Sequence, residues 1–224
     1  MPANFDRIAR PYRLLEHLTL GRALSRTRTD HLPALTTARN ALVLGDGDGR
    51  FLAALLHRIP DLHATAVDSS RSMLHLLSRR CAFAADRLSL HHADALTFFN
   101  SPASDLAPFD LVCTHFFLDC FTDADLARLL PAVRTRLAPG ARWVLSEFRI
   151  PPTGPLRLPA RLLVRLLYLA FRLLTGLIPT HLPHFVPLLE SVGLVPICTR
   201  HRLGGLLTAE LWRLPTQAFL ANPQ

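Results

Sequence analysis

Three glycines at alternate positions, directly after a short apolar run, constrain this chain more than any other feature. The run 41–44 leads into Gly45, Gly47 and Gly49, and an apolar-periodic segment, 51–59, follows. This order predicts a buried strand, a tight turn and a helix. Glycine is needed where φ is positive or where a ligand lies against the main chain. The turn also leaves the first N–H groups of the helix available to a ligand.

An acid follows each of the next two predicted strands. The apolar run 63–67 ends in Asp68, 23 residues after Gly45, where a βαβ unit places an acidic side chain beside a ribose. A third run, 88–90, leads to Asp94. The glycine turn and the two acids form a series that indicates a nucleotide-type site.

The spacing of the glycines indicates which nucleotide binds. A dinucleotide fold requires G-x-G-x-x-G, and this chain has Arg50 at the last position. The G-x-G-x-G form resembles the class I S-adenosylmethionine-dependent methyltransferases. That resemblance implies that the glycine turn carries the methionine part of S-adenosylmethionine, that Asp68 binds the ribose and that Asp94 meets the adenine amine. Val43 stands where the family often has an acid, and Asp46 or Asp48 could replace it.

The opening of the chain is similar to one family within this class. Phe5-Asp6, Ala9 and Tyr12 resemble the start of the ubiquinone/menaquinone C-methyltransferases, although Arg13 replaces an aspartate of that family. The similarity continues at 68–74, 93–95, 137–140 and 147–148, and it covers residues 5–150. We predict that the cofactor contacts Tyr12, Gly45, Asp46, Gly47, Gly49, Asp68, Ser69, Met73, Asp94, Ala95 and Thr114.

The predicted fourth strand, 109–114, places the acceptor site. Its carboxyl end faces that of the first strand across the topological switch point, so the residues after it should form the acceptor wall. We predict acceptor contacts from Phe116, Phe117 and Glu147, although either phenylalanine could instead be a core residue.

Methyl transfer needs a base only when the acceptor carries a proton. His115, with a pKa near neutrality, is one candidate for that base. The alternative is that this histidine holds a loop by hydrogen bonds. Asp119 is a second candidate, at a position where the quinone family has a basic residue.

The remaining patterns complete one α/β domain with a doubly wound, seven-stranded, mostly parallel sheet. A helix is predicted over 123–137, with Thr122 or Asp123 as N-cap, and a fifth strand over 141–148. A C-terminal antiparallel hairpin is predicted from two strands, 194–201 and 206–213. We divide the 224 residues into four segments: a helical cap, 1–38, a cofactor-binding core, 40–150, a helical lid or membrane-contact insertion, 151–192, and the terminal hairpin, 193–214. The cap includes a helix that is predicted to end at Ala23.

The insertion contains a wide apolar helix with one polar stripe. At 100° per residue, Arg161, Arg165, Tyr168, Arg172 and Thr175 share that stripe, and leucine, valine and phenylalanine fill the rest. Three arginines argue against a transmembrane span. The pattern suits a helix over 159–175 that lies in a membrane interface or covers an apolar pocket, and a core helix with a solvated arginine edge is the alternative.

The amino-acid composition limits which binding partners and cofactors we expect for this protein. All 25 basic residues are arginine, so lysine chemistry is excluded, and the formal net charge is +8. No basic run with interleaved aromatics is present, so an anionic membrane surface is favoured over nucleic acid. The four cysteines form no C-x-x-C pair, which predicts reduced thiols and no metal site. The first residues lack a signal peptide, so we expect a cytoplasmic protein, peripheral at the inner membrane face.

These observations predict methyl transfer from S-adenosylmethionine to a small lipophilic acceptor such as a quinol, phenol or isoprenoid-like molecule. Two alternatives remain open. One is a nicotinamide oxidoreductase, which Arg50 and the terminal hairpin disfavour. The other is a non-catalytic protein of the same fold that binds the cofactor or docks on a membrane.

Overall fold

The computed structural model describes residues 20–99, 107–176 and 178–216. Seven strands form one sheet in the order β3-β2-β1-β4-β5-β7-β6. β1 to β5 pair in parallel, and β7 is antiparallel to both β5 and β6, which confirms the predicted fold class. The strands are β1 Asn40–Leu44, β2 His63–Asp68, β3 Leu88–His92, β4 Phe109–His115, β5 Leu137–Phe148, β6 Val195–Arg202 and β7 Leu207–Arg213.

Helices cover both faces of the sheet. Leu52 and Leu77, from the second and third helices, pack on one face, and Leu129 and Leu189, from the fifth and seventh, pack on the other around Trp143. The helices are α1 Gly21–Thr29, α2 Arg50–Arg58, α3 Arg71–Arg80, α4 Ala95–Phe98, α5 Asp123–Arg134, α6 Arg157–Thr175 and α7 Phe185–Ser191. Short 3-10 turns occupy Leu32–Leu35, Ala82–Arg87, Leu118–Cys120 and Leu203–Gly205.

Polar side chains fix where several helices begin. Thr122 caps α5, and Asp125 completes the capping box by accepting the backbone N–H of Thr122. Ser70 caps α3 and Asp94 caps α4 by accepting backbone N–H groups of the first turn. These caps lie at the carboxyl ends of β2, β3 and β4, so they also order the turns around the site.

Two predicted boundaries were wrong. The helix predicted over 123–137 ends at Arg134, and β5 begins at Leu137 instead of Ala141. Leu137 is buried and pairs with Phe109, so strand pairing overrides the helical pattern. The Pro139-Gly140 signal lies inside β5, at a break in the register with β4, where Gly140 adopts a φ of 79°.

The helix predicted to end at Ala23 lies mostly outside the described residues. The boundary at Ala23 was wrong, because the helix α1 begins at Gly21 and continues to Thr29. Thr27 in its last turn is buried against the sheet, which favours the extra length. Residues 1–19, including Tyr12, lie outside the described residues.

The long helix α6 packs differently from the predicted stripe. Tyr168 and Thr175 are buried together with Ala160 and Val164, so the stripe that was predicted to be polar contains part of the packing face. Arg161, at the border of that face, is exposed as expected, and Arg165 and Arg172 are exposed beside it. Among the helices of the described ranges, none has both the length and the apolar character needed to cross a bilayer.

Gly49 begins α2 and packs against α3. Its φ is 78°, and a Cβ placed on it would lie 2.7 Å from Leu77 Cγ and 3.0 Å from Leu77 Cα. Gly140 has a φ of 79°, and a Cβ placed there would meet nothing within 4 Å. The two positions therefore share the cost of a left-handed backbone and differ in steric room.

We expect Gly140→Ala to lower the free energy of unfolding by about 1–2 kcal/mol through backbone strain alone. Gly49→Ala should cost about 1–3 kcal/mol more, because the backbone of α3 cannot move aside cheaply. Urea unfolding of both variants measures the difference. Equal losses at the two positions would contradict close packing at Gly49.

Candidate active site

The glycine turn lies where the strand order reverses between β1 and β4. Gly45, Gly47 and Gly49 have φ values of 64°, 59° and 78°, so each adopts the left-handed region that only glycine tolerates well. The N–H of Gly45 donates to the carbonyl oxygen of Val67 at 3.0 Å, which ties the turn to the end of β2. This edge of an open parallel sheet is where ligands bind in such folds.

Phe117 lies directly over Gly45. A Cβ on Gly45 would come within 2.2 Å of Phe117 Cδ2, so only glycine allows this approach. The ring also packs edge-on against Phe121, with 4.9 Å between the centroids. Phe117 was predicted on the acceptor wall, and the structure places it at the glycine turn. Sequence carried no signal for this contact, which joins residues 72 positions apart.

The two predicted carboxylates are oriented by backbone groups. Asp68 Oδ1 accepts the N–H of Ser70, and Asp94 Oδ1 accepts the N–H of Leu96, both at 2.8 Å. Both aspartates are half-buried. These backbone contacts fix the direction of each carboxylate, whose oxygens are of the kind that accept from hydroxyl or amine donors.

The other predicted cofactor contacts on this side fall in three environments. Met73 is buried, and its Sδ would lie 3.9 Å from a Cβ on Gly47, so this side chain packs against the glycine turn. Ala95 is buried beside Asp94. Ser69 is exposed, and its carbonyl oxygen accepts a hydrogen bond from His92 Nε2 at 3.1 Å.

The structure distinguishes Asp46 from Asp48. Asp48 forms ion pairs with Arg50 at 3.1 Å and with Arg80 at 2.9 Å, so it binds the α3 side of the turn. Asp46 Oδ2 accepts the N–H of Leu52 at 2.9 Å. Burial raises the pKa of Asp46 to about 7, opposed by that hydrogen bond and by the charge of Arg28. Asp46 therefore caps the start of α2, and within the described residues it has no salt-bridge partner.

Thr114 differs from the prediction. Its side chain is 0% exposed, and its Oγ1 accepts a hydrogen bond from the indole N–H of Trp143 at 2.9 Å. The hydroxyl therefore orders the core, and only the main chain of Thr114 borders the crevice.

His115 is also more enclosed than expected. It is 4% exposed, and its Nδ1 lies 3.0 Å from Ser146 Oγ, which itself lies 3.0 Å from the carbonyl oxygen of Thr27. Because Ser146 has one hydroxyl proton and Thr27 O can only accept, Ser146 accepts from a protonated Nδ1. Nε2 is then an unprotonated acceptor, and it is buried without a hydrogen-bond partner among the residues that the structure describes.

The expected pKa near neutrality was wrong for this histidine. Burial lowers the pKa of His115 well below its usual value, and the positive charges of Arg28 and His31 lower it further. The imidazole is consequently neutral at pH 7. Its hydrogen bonds join β4 to β5 and, through Ser146, to α1.

Glu147 closes the turn after β4. It is 0% exposed, and its Oε1 accepts the N–H groups of Phe117 at 3.2 Å and Leu118 at 2.9 Å. Oε2 is buried and has no hydrogen bond to any part of the chain that the structure describes. Burial raises the pKa of Glu147 well above its usual value, and the neighbouring charge of Asp119 raises it further.

Asp119 lies in the same turn and is half-buried. Burial raises its pKa to about 6, and the thiol of Cys120 donates to its Oδ1 at 3.6 Å. The hydroxyl of Tyr168 donates to the carbonyl oxygen of Asp119 at 2.8 Å, so α6 covers this turn directly. Two interacting carboxyl groups thus share an enclosed space at the ends of β4 and β5.

Phe116 joins the two halves of the site. Its φ of 54° is unusual for an aromatic residue and marks a turn that its surroundings hold in place. The ring packs against Phe148 with 5.3 Å between centroids, and Arg28 Cζ lies 5.2 Å from the ring centroid on a cation–π contact. Sequence reasoning missed Arg28, because nothing distinguishes it from the other arginines of α1.

The structure thus brings together most of the predicted residues at one edge of the sheet. Within the described residues, no three side chains are grouped in a way that could hold a metal ion.

Comparisons with known proteins agree with this geometry. Residues 42–143 match the family model described as a methyltransferase domain. No curated protein matches the chain by sequence.

Solved structures match the fold over most of the chain. The mitomycin 7-O-methyltransferase MmcR has a TM-score of 0.67 at 19% identity, over 94% of this chain and 60% of its own. The pyocyanin biosynthetic protein PhzM has a TM-score of 0.65 at 19% identity, over 94% of this chain and 62% of its own. The N-methyltransferase NodS from Bradyrhizobium japonicum WM9, in complex with S-adenosyl-L-homocysteine, has a TM-score of 0.59 at 17% identity, over 87% and 85%.

The chain spans about three fifths of the length of the first two of these structures. The chain is therefore similar to a methyltransferase domain over residues 42–143, and it shares the fold of these solved methyltransferases.

Proposed function

We propose that the protein transfers the methyl group of S-adenosylmethionine to a small, lipophilic, proton-bearing acceptor, with Asp119 as the base. The observation that carries the proposal is the meeting of the glycine turn with the oriented carboxylates of Asp68 and Asp94 at the switch point of the sheet. A glycine turn offers its backbone to the methionine part of the cofactor, and the two carboxylates suit the ribose hydroxyls and the adenine amine.

Aromatic side chains support a lipophilic acceptor. Phe116 and Phe148 pack together beside the turn after β4, and the underside of α6 adds Val164 and Tyr168. An apolar wall with a few polar groups is the usual lining of a small-molecule site. A quinol, a phenol or an isoprenoid-like molecule fits this lining. A quinol acceptor would also agree with the resemblance to the quinone methyltransferases.

Asp119 suits the role of base better than His115. When bound, the cofactor supplies an electrophilic methyl group on a sulfonium. The acceptor atom forms a bond to that carbon, the carbon–sulfur bond breaks with its electron pair left on sulfur, and the acceptor proton passes to Asp119. A carboxylate with a pKa of about 6 is ionised at pH 7 and still basic enough to take a proton.

The neighbours of Asp119 have positioning roles in this scheme. Glu147 holds the turn through Phe117 and Leu118, and its charge repels that of Asp119, so the two carboxyl groups titrate as a pair. His115 holds β4 against β5 and α1 from the other face of the sheet. The mitomycin 7-O-methyltransferase and the N-methyltransferase NodS are named for oxygen and nitrogen methylation, which supports an acceptor that carries a proton.

The insertion, residues 151–192, has two faces with separate roles in our proposal. Its helix α6 covers the acceptor side through Tyr168, and the opposite face presents a row of exposed leucines. Their exposed fractions are 76% for Leu158, 60% for Leu162, 53% for Leu166, 54% for Leu169 and 77% for Leu173. Such a continuous apolar surface requires an explanation, because surface leucines are usually isolated.

We propose that this leucine row rests on an anionic membrane surface, with Arg161, Arg165 and Arg172 along one border. All three arginines are exposed, and the chain has no acidic residue between Glu147 and Glu190. Charge complementarity therefore favours anionic lipid. A protein that is peripheral at the inner face of the membrane could receive a lipophilic acceptor from the bilayer. Its cofactor-binding core would then lie on the side of α6 away from the lipid.

The cofactor assignment is tested at Asp68. We expect Asp68→Ala to weaken S-adenosylmethionine binding at least about tenfold, because it removes charge-assisted hydrogen bonds worth about 1.5–3 kcal/mol each. Isothermal titration calorimetry measures the affinity. Asp61→Ala is the matched control, since Asp61 is exposed and its one ion pair within the described ranges is with Arg39. Unchanged affinity in Asp68→Ala would remove the basis for the assignment.

The base is tested by turnover against a panel of quinols and phenols. We expect Asp119→Asn to lower turnover about a hundredfold or more while cofactor affinity stays within about twofold. The wild-type rate should fall as pH decreases through about 6, because Asp119 takes up a proton there, and Asp119→Asn should lose this dependence. A large loss in His115→Gln with normal turnover in Asp119→Asn would make the histidine the base instead. A wild type that binds cofactor but methylates nothing would favour the non-catalytic alternative.

Membrane binding is tested by vesicle flotation on anionic and neutral lipid. Changing Arg161, Arg165 and Arg172 to glutamine should weaken partition onto anionic vesicles roughly a hundredfold at low salt, at about 1 kcal/mol for each arginine. High salt should weaken the wild type in the same way. The matched control changes Arg22, Arg26 and Arg58 to glutamine, which removes the same net charge. These three arginines are exposed on α1 and α2, outside α6.

Equal partition of the two triple variants would show that position on α6 does not matter. A wild type that stays in solution but sediments as a dimer would identify a second copy of the chain as the occupant of the leucine row.

A further inference from the structure

Two buried glutamates lie on the same face of the sheet and differ in how their oxygens are paired. Glu147 of β5 stands opposite Thr208 of β7, and Glu210 lies two residues further along β7. Glu210 Oε1 accepts the hydroxyl of Thr208 at 3.0 Å, and its Oε2 accepts the indole N–H of Trp212 at 2.9 Å. Each oxygen of this carboxyl group therefore has a donor from the chain itself, as expected of a structural glutamate.

Glu147 lacks that arrangement. Its Oε1 accepts the N–H groups of Phe117 at 3.2 Å and Leu118 at 2.9 Å, whereas Oε2 is buried and has no hydrogen-bond partner in the part of the chain that the structure describes. The residue is 0% exposed. A buried polar atom without a partner costs free energy, so a bound molecule is the natural source of the partner for Oε2.

The proton of this carboxyl group belongs on Oε2. Because Oε1 already accepts two N–H groups, a neutral Glu147 carries its hydrogen on the other oxygen, where it acts as a donor. Burial raises the pKa of Glu147 well above its usual value, and the charge of Asp119 raises it further. Glu147 is therefore the protonated member of this pair at pH 7, and Asp119, with a pKa of about 6, is the ionised one.

The O–H group of Glu147 lies beside the proposed base. Leu118, whose N–H binds Glu147, directly precedes Asp119 in the turn after β4. Two other donors of this space are occupied, because the Tyr168 hydroxyl donates to the carbonyl oxygen of Asp119 at 2.8 Å and the Cys120 thiol donates to Asp119 Oδ1 at 3.6 Å. The space therefore holds a carboxylate that takes a proton and, next to it, an O–H group whose acceptor is still to be supplied.

We propose that Glu147 donates a hydrogen bond to a second oxygen of the acceptor, next to the hydroxyl group whose proton passes to Asp119. This inference rests on the proposed function, because it presumes that the acceptor is methylated beside Asp119. The favoured acceptors are then phenols or quinols that carry an ether, carbonyl or hydroxyl oxygen on the carbon next to the reacting hydroxyl. In the transfer the acceptor oxygen forms its bond to the methyl carbon, the electron pair of the broken carbon–sulfur bond stays on sulfur, and Glu147 keeps its own proton.

The preference is tested with the three isomers of methoxyphenol, which differ only in where the ether oxygen lies. We expect kcat/KM of the wild type for ortho-methoxyphenol to exceed that for the meta and para isomers about tenfold or more, because only the ortho oxygen is adjacent to the reacting hydroxyl. Mass spectrometry measures the methylated product at saturating S-adenosylmethionine. Equal values for the three isomers overturn the inference and leave the proposed function standing. A wild type that binds the cofactor and methylates none of them overturns both.

Substitutions of Glu147 distinguish a donor from a charge. Glu147→Gln keeps an oxygen for the two backbone N–H groups and places an N–H donor where the O–H was, so it should retain the ortho preference within about threefold. Glu147→Met removes the donor and should lose most of the preference, and its melting temperature is measured because two N–H groups lose their acceptor. Glu210→Gln is the matched control and should leave the preference unchanged. Loss of the preference in Glu147→Gln would show that the charged form is needed, which overturns the inference.

The protonation state of Glu147 gives a readout that needs no turnover. We expect its carboxyl carbon to have the carbon-13 chemical shift of a neutral acid at pH 7, with the resonance assigned by its loss in Glu147→Gln. Adding ortho-methoxyphenol to the complex with S-adenosylhomocysteine should shift this resonance more than adding the meta isomer. An ionised Glu147 at pH 7 overturns the inference alone, and this measurement decides the question even where Glu147→Met does not fold.

Discussion

The parallel pairing of β1 with β2 on one side and β4 on the other is the constraint on which the site depends. The chain runs from β1 outward to β2 and β3, and it then returns to β4 on the other side of β1. The carboxyl ends of β1 and β4 are therefore not bridged by a crossover helix. The glycine turn after β1 and the strained turn at Phe116 after β4 therefore meet at this edge, where Phe117 packs over Gly45. The acids after β2 and β3 extend that crevice along the same edge, because parallel strands end on the same side.

Burial of polar groups at this edge is expensive, and the structure tolerates it in specific ways. Glu147 offsets part of its desolvation by accepting two backbone N–H groups, and His115 does so through Ser146. Within residues 20–99, 107–176 and 178–216, one oxygen of Glu147 and Nε2 of His115 have no hydrogen-bond partner. Unsatisfied buried groups are rare in native proteins, and they cluster where function requires them. These two atoms lie on opposite faces of the sheet, at the ends of the adjacent strands β4 and β5. The free-energy cost of burying unsatisfied polar groups is therefore concentrated where the acceptor site is proposed.

Helix α6 shows how one amphipathic segment can satisfy two environments. Its small and aromatic residues, Ala160, Val164 and Tyr168, pack on the edge of the domain, and Tyr168 reaches the turn that holds Asp119. Its leucine row remains exposed. A helix that is apolar on nearly all sides is expected to be buried on all sides. Within the described residues only one side of α6 is covered, which is why we propose a lipid surface for the other.

Local pattern in the sequence determined the elements and the ends of strands at which the site lies. Alternating glycines, an acid after each of two strands and apolar runs of strand length are short-range signals, because each depends on backbone geometry within a few residues. They were sufficient to predict the sheet, the terminal hairpin, and the positions of Asp68 and Asp94. The family match over 42–143 covers the glycine turn and both of these acids.

Only the tertiary structure decided what the side chains at that edge do. Thr114 binds the indole of Trp143, Phe117 covers Gly45, and Arg28 stacks on Phe116 from a helix that carried no signal of its own. Each of these contacts joins residues that are distant in the chain, and a side chain's exposure and pKa depend on all the elements packed around it. For the same reason β5 began at Leu137, where pairing with Phe109 outweighed a proline and a glycine. Sequence pattern specifies which backbone groups must be paired, and packing between distant segments specifies which side chains remain free to act.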